Sequence, residues 1–286
     1  MSNSETDSHN HNFLIKILRK VTNYFERVGR SFGKGIEELG YVLVLLGESL
    51  SWIFTGFLRK QPVRIYSVVK EVREIGVNAI LIVSVLCIAV GIMLAIQGVA
   101  TLRQFGQELF TVDLVAQAAT REFAPLIVGI LVAGRSGSAI TARIGTMHES
   151  QEIDALRVIG INPVRHLGAP VLAGMLIAVP LLTMIGDFMC IIGSGVFVSL
   201  ELGIGLDFYL ERTIEVLTMN DLRQGIIKSY VFACIISLVG VSNGFQVGSG
   251  AEGVGRSTTR SVVLSISFIV VSDMVFTYFL NISEFT

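Results

Sequence analysis

Residues 76–102 read GVNAILIVSVLCIAVGIMLAIQGVATL, twenty-seven consecutive positions without a charge. About 20 such residues suffice for a helix to cross the hydrocarbon core of a bilayer. In lipid the backbone must satisfy its own polar groups, so the stretch can cross only as a helix or as part of a closed barrel. A run this long and continuously apolar lacks the alternation of a barrel strand. It therefore reads as a transmembrane helix.

Four further runs follow it. Residues 112–134 are apolar apart from an interruption by Arg121 and Glu122. Residues 167–200 carry one charge, Asp187, over 34 positions. At 1.5 Å per residue this run exceeds one core thickness, so it must tilt, protrude or break, with Gly193 and Gly195 as the expected break. Residues 226–248 and 260–282 complete the set, the last interrupted by Asp273. The fold class is an all-α integral membrane protein of about five spans. The whole chain of 286 residues is 52% hydrophobic and 16% charged, against about 25% charged in a soluble domain.

Upstream, residues 1–12 form a polar tail and residues 13–75 the amphipathic and interfacial helices, ahead of a membrane domain over 76–283. Apolar residues of 13–30 recur at helical spacing between basic ones, which suits a helix lying on an anionic leaflet. The stretch 39–58 is long enough to cross but carries Glu48. If it stays in the interface, the segments on the amino-terminal side hold seventeen of the twenty-two Lys and Arg residues, and the opposite side holds Arg103, Arg212 and Arg223. The positive-inside rule then makes the N-terminus cytoplasmic.

The most polar part of the second half is 134–166, GRSGSAITARIGTMHESQEIDALRVIGINPVRH. Glu149, Glu152, Asp154 and Arg157 fall within three turns, with Ile153, Leu156 and Ile159 on another face, and Asn162-Pro163 ends the run. A short amphipathic helix over about 147–161 is expected on the cytoplasmic side, either to dock into a soluble partner or to serve as a plain connector.

Charges inside the spans are functional candidates, since each costs on the order of 2.5–3.5 kcal/mol on insertion scales. Arg121 and Glu122 are adjacent and diverge by about 100° around a helix. One can meet a lipid headgroup while the other meets a neighbouring helix, or both can serve helix packing. Lys228 begins the fourth span, where it can attract a phosphate at a cavity mouth or snorkel to the interface. Gln97 ends the first span and can hydrogen-bond a headgroup. Asp187 and Asp273 are expected to have structural roles. Gly129 with Gly134 and Gly240 with Gly244 permit close helix approach.

Other chemistry finds no support in the residues. Gly248–Gly253 fits GxGxxG but follows a membrane helix rather than a strand, and no GxxxxGK[ST] occurs, so ATP-driven work needs a partner. His148-Glu149 is followed by Glu152 where a zinc protease needs histidine, so no metal site is expected. Cys87, Cys190 and Cys234 sit in apolar stretches without ligand spacing. No nucleophile–base set marks an enzyme. No internal inverted repeat favours an ion-coupled secondary carrier, although Arg121, Glu122 and Lys228 would be the ion path of such a carrier or of a channel.

The segment AGRSGSAITARIGTMHESQEIDALRVIGINPVRHLGAPVLAG at 133–174 resembles the signature region of the MlaE family of permeases. REFAPL at 121–126, IKS at 227–229 and GVGRSTTRSVV at 253–263 match in order, and the resemblance covers roughly 60–282. It implies the permease subunit of an ABC transporter that moves glycerophospholipids in the bacterial inner membrane and maintains outer-membrane lipid asymmetry. It implies a permease homodimer, a cytoplasmic ABC ATPase dimer, a periplasmic MCE-domain hexamer and a small STAS-domain subunit, with no nucleic acid and no cofactor beyond the ATP used by the partner. Arg121, Glu122, Lys228 and Gln97 would then handle lipid. Glu149, Glu152, Asp154, Leu156 and Arg157 would lie on the ATPase-coupling helix, with 39–58 as the interfacial elbow.

Overall fold

The computed structural model describes residues 35–55 and 64–282, with side chains to 279. The polar tail, the helix expected over 13–30 and the end of the 39–58 stretch lie outside the described residues. The chain divides into two units, Met1–Val44 and Leu45–Thr286. Of the first, only residues 35–44 are described, and they are helical.

Among the described residues, six helices are long and apolar enough to cross a membrane. One more than the expected five is α1, Gly35–Thr55, the least apolar of the six. Its portion in the second unit packs on the turn before the third expected span. Glu48 accepts a hydrogen bond from Asn162 Nδ2 at 2.7 Å, and the Arg165 guanidinium lies 5.4 Å from the centre of the Trp52 ring.

Helix α2, Ile65–Ile75, buries Glu71 and Ile75. A short 3₁₀ turn leads into α3, Ile80–Leu102, within the uncharged run 76–102. Next comes a rod from Phe110 to Glu149, well beyond the expected 112–134. It consists of α4 (Phe110–Ala118), α5 (Ala124–Val132) and α6 (Ser138–Glu149), joined by π-helical turns at Ala119–Phe123 and Ala133–Gly137. The first π turn has a covalent cause. Pro125 has no N–H to give and its ring crowds the carbonyl four residues back, so the helix widens rather than closing that bond.

The coupling segment differs from expectation. Gln151 takes a left-handed conformation, with φ 60°, and this breaks the helix expected over 147–161. Glu149 is the last residue of α6, and the short helix α7 is Glu152–Val158. Gly160, at φ 80°, ends α7 as a left-handed C-terminal glycine does. Asn162 Oδ1 then accepts from the N–H of Val164 at 2.8 Å and of Arg165 at 3.2 Å, which starts the next helix.

Helix α8, Ala169–Leu202, is 34 residues long and unbroken. The break expected at Gly193 and Gly195 does not occur. Both glycines are contact points instead. A Cβ on Gly193 would run into the carbonyl oxygen of Ile88 on α3, and one on Gly195 would meet the Tyr209 ring. Gly91 of α3 meets the Cys190 carbonyl in the same way, so α3 and α8 touch backbone to backbone as small-residue membrane helices do.

Helix α9, Leu206–Val216, is short and buries Tyr209, whose hydroxyl shares a 2.7 Å hydrogen bond with Ser194. Arg212 forks onto Asp113 at 2.7 and 2.9 Å, and Arg103 pairs with Glu201 at 2.9 Å. These pairs tie one end of the bundle together. Helices α10, Met219–Phe245, and α11, Gly250–Ile282, close it. The expected fourth span began at 226 because the first two turns of α10, MNDLRQG, are polar.

Candidate functional site

The charges singled out in the spans converge on α10. Arg121 and Glu122 occupy the π turn Ala119–Phe123, and their divergence sends them to different partners. Arg121 binds Asp221 through Nε and Nη2. Asp221 is fully buried and is the third residue of a capping box. Its Oδ2 accepts from the backbone N–H and the hydroxyl of Thr218, each at 2.8 Å. One carboxylate thus caps α10 and fixes Arg121. The T-x-x-D spacing of 218–221 is a sequence signal for this cap, one the sequence reading passed over.

Two turns further along α10, Lys228 has 0% exposure. It was expected at the start of a span, near the interface, but it is ten residues into a longer helix and wholly enclosed. Its ammonium binds Glu122 Oε2, lies 3.1 Å from Asp273 Oδ1 and donates to Thr277 Oγ1 at 2.9 Å. The Asp273 contact is within ion-pair distance but makes no hydrogen bond at that oxygen. The Thr277 hydroxyl has 3.0 Å contacts to both Glu122 carboxylate oxygens and a 2.8 Å contact to the Asp273 carbonyl. Its single proton can serve one of these at a time.

The cluster therefore joins α10 and α11 to the π turn between α4 and α5. Lys228 has three donors facing three partners. Glu122 is the accessible arm, its side chain 31% exposed against 0% for Lys228 and 13% for Asp273. With every group ionised, Glu122, Lys228 and Asp273 together carry one surplus negative charge. Asp273 and Thr277 come from α11, and their part in this cluster was not read from the sequence. Gln97 is exposed on α3 and shares no hydrogen bond with the cluster among the described residues. Asp187 is buried, and its Oδ1 has no hydrogen-bond partner among the described residues.

At the α6–α7 corner, Glu149, Glu152, Asp154 and Arg157 are exposed, with Asp154 and Arg157 paired at 3.1 Å. Of the apolar face expected there, Ile153 is buried and Leu156 half-buried. Ile159 points outward with Val158, at 68% and 87% exposure. Two neighbouring apolar side chains thus project from a corner otherwise covered by charge.

The family described as Permease MlaE matches residues 68–279. A probable ABC transporter permease protein of Rickettsia prowazekii is 32% identical over 227 residues, 79% of this chain and 88% of that protein. The intermembrane phospholipid transport system permease protein MlaE of Haemophilus influenzae is 28% identical over 272 residues, 93% of this chain and 96% of that one. The chloroplastic protein TRIGALACTOSYLDIACYLGLYCEROL 1 of Arabidopsis thaliana is 35% identical over 190 residues, 66% of this chain and 54% of that protein.

Proposed function

This chain belongs to the MlaE family of ABC-transporter permeases, and from that membership we propose that it moves glycerophospholipids between the bacterial inner membrane and a periplasmic MCE-domain partner, maintaining outer-membrane lipid asymmetry. It is a multi-pass membrane permease rather than an enzyme, and in such systems ATP is hydrolysed by a separate subunit. The assembly proposed is two copies of this chain, a cytoplasmic ATPase dimer, a periplasmic MCE-domain hexamer and a STAS-domain subunit, with the N-terminus cytoplasmic. No cofactor is assigned to the permease itself.

The observation that carries the lipid reading is the buried cluster of Glu122, Lys228, Asp273 and Thr277 within the spans. Ionisable groups at membrane depth are held for a purpose by default. Here the most accessible group is a carboxylate bound to a buried ammonium. If Glu122 swings aside, Lys228 keeps Asp273 and Thr277 and regains one donor. A lipid phosphate can occupy that donor, and a charge-assisted hydrogen bond of this kind is worth about 1.5–3 kcal/mol. Arg121, held by the α10 cap, is the second cation beside the path, and Gln97 contacts headgroups from α3. Apolar helix surfaces hold the acyl chains. The α6–α7 corner passes the motion of the ATPase to the rod that carries Arg121 and Glu122, because α4, α5 and α6 form one 40-residue helical rod.

The test is a mild-detergent purification of the tagged chain from its host, with mass spectrometry of the proteins and lipids that come with it. A P-loop ATPase, an MCE-domain protein and bound phospholipid are expected. A solitary oligomer with none of these overturns the reading and makes ion flux through the cluster the next experiment.

A further inference from the structure

The signature stretch around 134–143 is not explained by the central cluster. Its π turn, Ala133–Gly137, leads into a separate pocket of about 190 Å³ between α2 and the start of α6. Insertions of this kind in α-helices recur at functional sites. Arg135, Ala139 and Arg143 follow one another at four-residue spacing, which places them along one helix face. The small Ala139 side chain leaves room between the two arginines. Across the pocket, α2 supplies Glu71 and Glu74, and Ile75 and Ile140 are its buried apolar walls.

The two arginines are in different states. Arg143 spans the gap, donating to Glu71 Oε1 at 2.6 Å and to Glu74 Oε2 at 3.2 Å. Arg135 lines the same pocket, is exposed, and has no carboxylate partner among the described residues. Ser136 adds a mostly buried hydroxyl beside it. Glu74 is half-exposed, and among the described residues its second oxygen reaches only Lys70, at 3.9 Å. The pocket thus offers one uncommitted guanidinium at one end and one accessible carboxylate at the other. Its four charged groups sum to zero.

We propose that this pocket binds the headgroup of a zwitterionic, amine-bearing phospholipid, with its phosphate on Arg135 and Ser136 and its ammonium on Glu74. Guanidinium suits phosphate because its fork of N–H donors matches the phosphate oxygens. A net-neutral pocket with a carboxylate opposite the guanidinium selects against an anionic headgroup, which would meet Glu74 without compensation. The volume is below the 300–1,000 Å³ range of pockets that enclose a whole drug-sized ligand, so the pocket takes a headgroup and leaves the chains outside. The outer face of α2 is apolar, with Ile65, Tyr66 and Val69 exposed, as a helix flanked by acyl chains requires. Lys70 and Arg73 on α2 and Arg135 and Arg143 across from it make this a basic part of the described chain, as the headgroup level of a leaflet favours. The site is independent of the transport reading, since it needs neither ATP nor a second subunit.

The experiment is native mass spectrometry of the full chain in mild detergent, titrated with dioleoyl phosphatidylethanolamine, dioleoyl phosphatidylglycerol or inorganic phosphate. Arg135→Ala is expected to weaken phosphatidylethanolamine binding about tenfold, the loss of one charge-assisted contact. Glu74→Gln is expected to weaken phosphatidylethanolamine but not phosphatidylglycerol. The effect of Arg135→Ala should persist in a Glu122→Gln background, which separates this pocket from the central cluster. Arg135 is exposed, so Arg135→Ala is not expected to disturb folding, and an unchanged unfolding temperature checks this. Phosphatidylethanolamine binding within twofold of the parent in Arg135→Ala overturns the proposal. So does equal loss of both lipids, or Arg135-dependent binding of inorganic phosphate alone. Release of a co-purified ATPase by Arg135→Ala without any change in lipid binding would make the pocket a protein contact and also end it.

Discussion

Replacing Lys228 by methionine keeps the length of the side chain and removes its charge. The structure says what is left behind. Asp273, with a side chain 13% exposed, loses its ammonium partner. Glu122, at 31%, retains the Thr277 hydroxyl and some access to solvent. Breaking a buried ion pair by removing one partner costs about 3–5 kcal/mol. The partial exposure of Glu122 discounts its share, so the loss falls at the lower end, about 3 kcal/mol. At about 2–4 °C per kcal/mol for a large domain, unfolding should come roughly 6–12 °C earlier. The assay is thermal unfolding of the full chain in detergent, read with a thiol-reactive fluorophore, since Cys87 and Cys190 are buried. The double variant Lys228→Met/Asp273→Asn removes the stranded carboxylate and should recover to within about 1 kcal/mol of the parent, as neutral replacement of buried ion pairs does. Asp273→Asn alone leaves Lys228 with Glu122 and should be mild. A single variant as stable as the parent, or a double variant no better than the single, would refute the view of Lys228 as a desolvated hub.

Gly193→Ala places a methyl group against the Ile88 backbone, which cannot rotate away, so α3 and α8 must part. We expect about 1–3 kcal/mol of destabilisation in the same unfolding assay. Gly255→Ala, within α11 and with nothing within 4 Å of an added Cβ, should be neutral or slightly stabilising. At the α6–α7 corner, Val158→Asp/Ile159→Asp should abolish co-purification of the ATPase without altering the unfolding temperature, because both side chains are already exposed. Arg157→Ala should cost less than about 1 kcal/mol of stability, because its pair with Asp154 is a surface one.

What the sequence made legible follows from the cost of polar groups in lipid. Apolar runs located α3, α5, α8, α10 and α11, and two of the rare charges inside those runs, Glu122 and Lys228, bind each other, while Arg121 turns to Asp221 at the α10 cap. What it hid was of two kinds. Long-range pairing leaves no local trace, so the joining of Glu122 to Lys228 and Thr277 across 106 and 155 positions could not be read from any window. Local rules also gave wrong answers where packing decides. Gly193 and Gly195 were read as a break because glycine is a poor helix former, yet in α8 they admit the α3 backbone and the Tyr209 ring. Lys228 was placed near an interface because hydropathy begins late in α10, whose polar first turns are capped by Thr218 and Asp221. The coupling helix was drawn through Gln151, which has a left-handed backbone that its residue type does not announce.

The most direct test of the central claim is ATP-driven phospholipid movement by the reconstituted complex. Proteoliposomes holding the chain with its co-purified ATPase and MCE-domain partner are given a labelled phospholipid, and its transfer is followed with and without ATP. The account predicts ATP-dependent transfer that Glu122→Ala reduces at least tenfold, while the complex still assembles and still hydrolyses ATP. Hydrolysis without lipid movement in the parent complex, or undiminished transfer by Glu122→Ala, would contradict it.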